Sequence, residues 1–195
     1  MARAGYLDLC APLFTAPRIG RAPTGFARLA GQFRGWEFDI QALPDALTYR
    51  KLPSLWLLVT IPAPMPVAAT LDIMRRPIGG ETFSHFDRLD DQVVAPPGLP
   101  PDAVLRTDDA ARLPPAELLA DHFAVLSAER AKELVISPKG LRLTWLAEEA
   151  DRARYLLFRD AELGMTPLGP AVLSPLLGHL SGLAEALAQA GAGAR

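Results

Sequence analysis

Leu134-Val135-Ile136-Ser137-Pro138-Lys139-Gly140-Leu141-Arg142-Leu143-Thr144-Trp145 is the stretch from which the rest of this chain is best read. Leu134 and Ile136 fall on one side of an extended chain, and Leu141, Leu143 and Trp145 resume the period of two after an interruption. Ser137, Pro138 and Gly140 stand at the first, second and fourth positions of a type I turn. A left-handed Gly140 then closes a β-hairpin through a bulge. A two-stranded hairpin is marginal alone in water, so further strands and a covering layer are required.

Strand signals recur toward the N-terminus. Trp36, Phe38 and Ile40 alternate with Glu37 and Asp39. Leu55, Leu57, Val59 and Ile61 share one face, with Trp56, Leu58 and Thr60 on the other. A strand apolar on both sides belongs in the middle of a sheet. Val67, Ala69, Leu71 and Ile73 continue the period, predicting a neighbouring strand that ends at Arg75 and Arg76. Residues 1–30 are broken by Gly5, Pro12, Pro17, Gly20, Pro23 and Gly25 and read as an irregular arm. Residues 147–163 read two ways: Glu148, Glu149 and the arginines suit a helix, while Tyr155 to Phe158 suits a third strand beyond the hairpin, the reading preferred.

Helical spacing appears in two main places. Pro114 and Pro115 suit a helix start, and Leu118, Leu119, His122, Phe123 and Leu126 follow on one face to about Ala131. Ser174 caps a second helix, with Pro175 at its first position and Gly191 past its end. Leu173, Leu176, Leu177, Leu180, Leu183 and Leu187 form its apolar stripe. Gly178, Ser181, Gly182 and Glu185 are expected to point away from the core, toward the arm or a second copy in a homodimer. A shorter helix is expected after Ser84, with Phe86, Leu89 and Val93 on one side. The fold expected is α+β: a mainly antiparallel sheet covered by two main helices, at about 115–131 and 175–190.

The composition fits a packed protein. Of 195 residues, 50% are hydrophobic and 22% charged, which excludes a disordered chain. Pro96, Pro97, Gly98, Pro100 and Pro101 make the strongest break, dividing the chain into halves at 1–98 and 102–195 that are expected to share one core. The net charge of −2 and pI near 5.9 argue against nucleic acid as a partner. One cysteine, Cys10, permits no internal disulfide, in keeping with a cytoplasmic protein. Two uncharged stretches, 52–71 and 163–184, are interrupted by prolines, so no transmembrane segment is expected and helix begins only after Ser174.

No motif names a reaction. HExxH, the EF-hand loop, GxSxG, GxxxxGK[ST] and GxGxxG are all missing. His85, Asp87 and Asp91 are the candidate metal ligands, since Asp87 and Asp91 share a face if helical and carboxylates suit a hard cation. The ordinary reading of such a group is a solvated acidic turn. Asp108, Asp109 and His122 are the candidate acid/base residues. Adjacent acids commonly cap a following turn, and His122 lies on an apolar stripe. No cofactor is expected, and no structural metal. The function expected is a non-catalytic binding or assembly module of a bacterial cell. The alternatives are a metal-dependent or acid/base hydrolase using the acids at 87–91 or 108–109, and a carrier of a small apolar ligand.

Overall fold

The computed structural model describes residues 2–45 and 52–193. It is an α+β fold built on one nine-stranded antiparallel sheet. The strands are β1 (Thr15–Arg21), β2 (Ala27–Phe33), β3 (Trp36–Asp45), β4 (Ser54–Ile61), β5 (Leu71–Arg75), β6 (Asp91–Val93), β7 (Ala103–Thr107), β8 (Ala131–Ser137) and β9 (Gly140–Glu149). Their spatial order is β1-β2-β3-β4-β9-β8-β5-β7-β6, so the β8–β9 hairpin lies near the centre. The sheet runs through both halves of the chain.

The hairpin turn is tighter than expected. Ser137 pairs directly with Gly140 across a two-residue loop, and the bulge in this pair of strands lies at Lys132 instead. Gly140 has φ 148°, and a Cβ there would stand 2.2 Å from the Ile61 carbonyl oxygen. Close approach of the β4 end demands this glycine more than backbone conformation does.

Several expectations are corrected. Residues 1–30 are not an irregular arm. They form two 3-10 turns, Ala2–Gly5 and Asp8–Leu13, followed by β1 and β2. Small Ala27 and Gly31 alternate with Arg28 and Gln32, and a Cβ on Gly31 would meet Phe14 at 2.9 Å. β5 starts only at Leu71, and it pairs with β7 and β8, not with β4. Residues 83–94 hold a 3-10 turn (Phe86–Arg88) and β6 in place of a helix. Of the two readings of residues 147–163, the helix is the one formed, and Tyr155 to Phe158 belongs to it and not to the preferred strand. Here Asp151 caps α2 (Arg152–Phe158) by accepting from the Arg154 N–H at 2.7 Å, and left-handed Arg159 ends it.

The two expected covering helices are unequal. The first shrinks to α1 (Ala116–Ala120) and a 3-10 turn, Phe123–Ser127, because the chain must return to extended form at Ala131. Leu119, Phe123 and Leu126 are still buried. The second, α3 (Pro170–Gly193), is longer than expected at both ends. It absorbs Pro175, forgoing the bond that nitrogen would give to the Ala171 carbonyl. It also runs through Gly191, where a Cβ would collide with Pro66 at 2.5 Å. By length and composition α3 could cross a membrane, but its leucine stripe is buried against β4 and β9. Each such leucine contributes roughly 1.5–3 kcal/mol. The small-residue side is less free than expected: Ser181 is fully buried and Gly182 faces His122.

The main core lies between this face and α3, joined by Tyr6, Leu7, Cys10 and Phe14 from the N-terminal turns. Cys10 donates to the Leu168 carbonyl at 3.3 Å, and burial pushes its thiol up to about 11. A smaller cluster of Trp56, Met74, Phe83 and Phe86 sits on the opposite face, with Trp56 and Phe83 ring centroids 5.1 Å apart.

Candidate functional site

The face away from α3 is where charge collects. Strand register aligns Asp39, Thr60, Arg142, Val135, Asp72 and Arg106 in one row across β3, β4, β9, β8, β5 and β7. Side chains alternate along each strand, so this row shares one face. The next row toward the aromatic cluster contains Gln41, Leu58, Thr144, Glu133 and Met74. A cavity of about 680 Å³ opens over both rows. Asp39, Gln41, Leu58, Thr60, Arg142, Val135 and Asp72 line it from the sheet. Pro62, the 137–140 turn, Thr70, His85, Leu89 and Asp108 line it from the loops.

Glu133 is the hub of the polar interior. Fully buried, it accepts from Arg142 Nη2 at 3.1 Å, Thr144 Oγ1 at 2.9 Å and the Ser84 hydroxyl. Asp72, only 3% exposed, approaches the same carboxylate. Burial, followed by the charge and hydrogen bond of Glu133, pushes Asp72 up to about 8, although Arg142 opposes this. Two carboxyls this close cannot both ionise cheaply, so the pair shares a proton at neutral pH.

A second buried ion pair, Lys132 Nζ to Glu81 Oε1 at 3.0 Å, anchors the loop that covers this face. Lys132 also donates to the Arg75 and Arg76 carbonyls at 2.9 and 2.7 Å. Burial works against the Glu81 charge, but the Ile78 N–H and Lys132 outweigh it and hold the carboxyl below its usual range. This pair is satisfied from all sides and reads as a clamp for residues 76–81.

The residues expected from sequence are dispersed. His85 and Asp108 both reach the cavity, from different loops, and Asp108 accepts from the Thr70 N–H at 2.8 Å. Asp87 instead accepts from the Gly80 N–H at 3.1 Å, and Asp91 is exposed on β6. Among the described residues no group of three or more His, Cys, Asp or Glu side chains is placed to hold a metal ion. Asp109 caps the 3-10 turn at Ala110–Arg112, where the Arg112 guanidinium holds its carboxyl low. His122 lies on the other side of the sheet, packed edge-on against His179 with ring centroids 5.7 Å apart.

Asp72, Glu133 and Arg142 were not singled out from sequence. Each is the polar member of an alternating strand, a position that ordinarily faces water. The available signal was their place on strands whose other residues are Leu and Ile, central enough for both faces to be covered. No protein-family model, curated protein or solved structure matches this chain.

Proposed function

We propose that this chain is a non-catalytic binding module whose ligand site is the groove on the open face of the sheet. The observation that carries the reading is a cavity of about 680 Å³ whose lining includes the buried carboxyl of Asp72 and the half-buried side chains of Asp39 and Arg142. Its volume lies within the range of small-molecule sites. Buried charge is weak support for a fold, since hydrophobic replacements are often as stable. A ligand gives the buried carboxyl of Asp72, next to Arg142 in the lining, a use that packing alone does not.

Filling the groove tests this reading. Thr60 is half-buried on the sheet and lies in the lining, so Thr60→Trp should occupy the space without cutting the Glu133 network. Ligand-observed NMR against a set of small polar fragments should give hits on the parent that compete with one another and vanish in Thr60→Trp. Hits that persist place binding elsewhere, and an absence of hits on the parent defeats the reading.

A second reading, an acid/base enzyme, is favoured by Asp72 itself. A carboxyl whose pKa burial raises, lining the same groove as His85 and Asp108, is a candidate general acid. Hydrolysis of activated esters by the parent, lost in Asp72→Asn, would support it. Equal rates in both proteins would remove it.

A further inference from the structure

The sheet ends in two open edges of opposite charge. β1 forms one edge and β6 the other. All seven residues of β1 are exposed, as are Asp90, Asp91, Gln92 and Val94 at the far edge. Residues 1–35 hold five Arg and one Asp, whereas residues 81–121 hold nine acids and three Arg. Nine strands set the edges roughly 40 Å apart along the sheet. Arg18 pairs with Glu37. Arg21, Asp90 and Asp91 make no ion pair among the described residues, so the two charged edges do not meet within one chain.

The backbone at each edge has a definite phase. Ala22 donates to the Phe26 carbonyl at 2.9 Å where the β1–β2 hairpin closes. Bonded pairs alternate along an antiparallel ladder, so Gly20 and Arg18 bond to Arg28 and Ala30, and Ile19 and Arg21 turn their N–H and C=O groups outward. At the other edge Arg76 donates to the Asp102 carbonyl at 2.9 Å, which makes Met74 and Val104 a bonded pair between β5 and β7. Leu105 and Thr107 then bond to Val93 and Asp91 of β6, and Gln92 turns outward. Pro17 and left-handed Ala16 blunt the start of β1, but residues 18–21 keep a regular register with β2.

We propose that copies of this chain join edge to edge, β1 of one pairing antiparallel with β6 of the next, with Arg21 opposite Asp90 and Ile19 opposite Gln92. This register lets the outward backbone groups of Ile19 and Gln92 bond to each other and sets unlike charges side by side. Charge selects the partner edge. β1 against β1 would gather two sets of Arg18 and Arg21, and β6 against β6 two sets of Asp90 and Asp91. In a sheet of nine alternating strands β1 and β6 run the same way, so each antiparallel junction turns the next copy over. The contact is heterologous and does not close, and its repetition gives an open chain of molecules. Few bonds form at each junction, so the assembly is weak and grows with concentration.

Sedimentation velocity over a wide range of protein concentration tests this. At low salt the parent should show a ladder of species that lengthens with concentration, and added NaCl should shorten it. Arg21→Glu and Asp90→Arg should each weaken association by about five- to tenfold, with circular dichroism unchanged because both residues are exposed. The double variant Arg21→Glu/Asp90→Arg exchanges the two charges and should recover association, which damage to the fold would not allow. Ile19→Pro removes an outward N–H without cutting a β1–β2 bond and should also weaken it; should that variant fail to fold, the charge exchange still decides. A parent that stays monomeric at every concentration overturns the proposal. An assembly indifferent to Arg21→Glu and Asp90→Arg belongs to another surface and also overturns it. A double variant no better than the single ones, or a dimer that grows no further, overturns it as well.

Discussion

Beneath α3 the sheet presents Leu55, Leu57, Val59, Ile61, Leu134, Ile136, Leu141 and Leu143, all essentially inaccessible, to a helix whose own stripe is leucine. On the other face the same strands present Thr60, Arg142, Thr144 and Glu133, joined by Asp72 of β5 and covered in part by the loop at 76–89. The titratable groups also differ. His122 and His179, the latter on α3 itself, pack together half-buried, and burial lowers both rings, whereas burial raises the Asp72 carboxyl on the open face. The first face therefore carries stability through apolar area. The second holds hydrogen-bonding capacity in a partly dry setting, where polar groups interact strongly with whatever reaches them.

The corner shared by both faces should give the largest effect. Gly140→Ala places a methyl 2.2 Å from the Ile61 carbonyl oxygen, so a loss of about 3 kcal/mol or more is expected in chemical denaturation. A loss under ~1 kcal/mol would show that the end of β4 moves aside freely. Next, Leu180→Ala beneath α3 should cost about 3–4 kcal/mol, against about 1 kcal/mol for Leu58→Ala on the half-open face. Equal losses would break the comparison between the faces.

The two pH dependences should have opposite signs. Burial, then the neighbouring His122, hold His179 down at about 4 against an ordinary 6.5, and His122 is lowered in the same direction. The unfolded chain takes up protons that these rings refuse, so their contribution is full above pH 6.5 and is lost as pH falls toward 4. For His179 the change amounts to about 2–3 kcal/mol. His179→Leu should flatten that acid limb in thermal melts, and an unchanged limb would assign it to other groups.

Asp72 works the other way. With its folded value near 8 and its ordinary value 3.8, the fold keeps a proton that the unfolded chain releases. Stability from this group thus declines as pH rises from about 4 to 8. Asp72→Asn should remove the decline and be more stable than the parent above pH 8, by about 1–2 kcal/mol. A parallel pH profile in the variant would mean that Glu133 or another group holds the proton.

Local period determined much of this architecture. The hairpin at 134–145, the alternation of β3 and β4, and the leucine stripe of α3 are legible because each needs only neighbours in sequence to define its apolar side. Asp151 as a cap for α2 was equally local, although the aromatic run after it reads as strand. What local period could not supply was partner choice. β5 reads as the neighbour of β4, yet the proline-rich segment between them, residues 62–66, is too stiff for a tight hairpin, and the hairpin β8–β9 takes the place beside β4. β1 and β2 were hidden because Ala27 and Gly31 fill a crowded site with almost no side chain, so packing against Phe14 replaced the usual apolar signal. The site depended on the same kind of information. His85 and Asp108 were visible as isolated polar residues near breaks. Asp72, Glu133 and Arg142 look like the wet side of ordinary strands, and only the arrival of Ser84 and Phe86 from a distant loop turns that side into an interior. Whether a strand's polar residue meets water is decided by whatever segment folds over it, and that is a property of the tertiary structure.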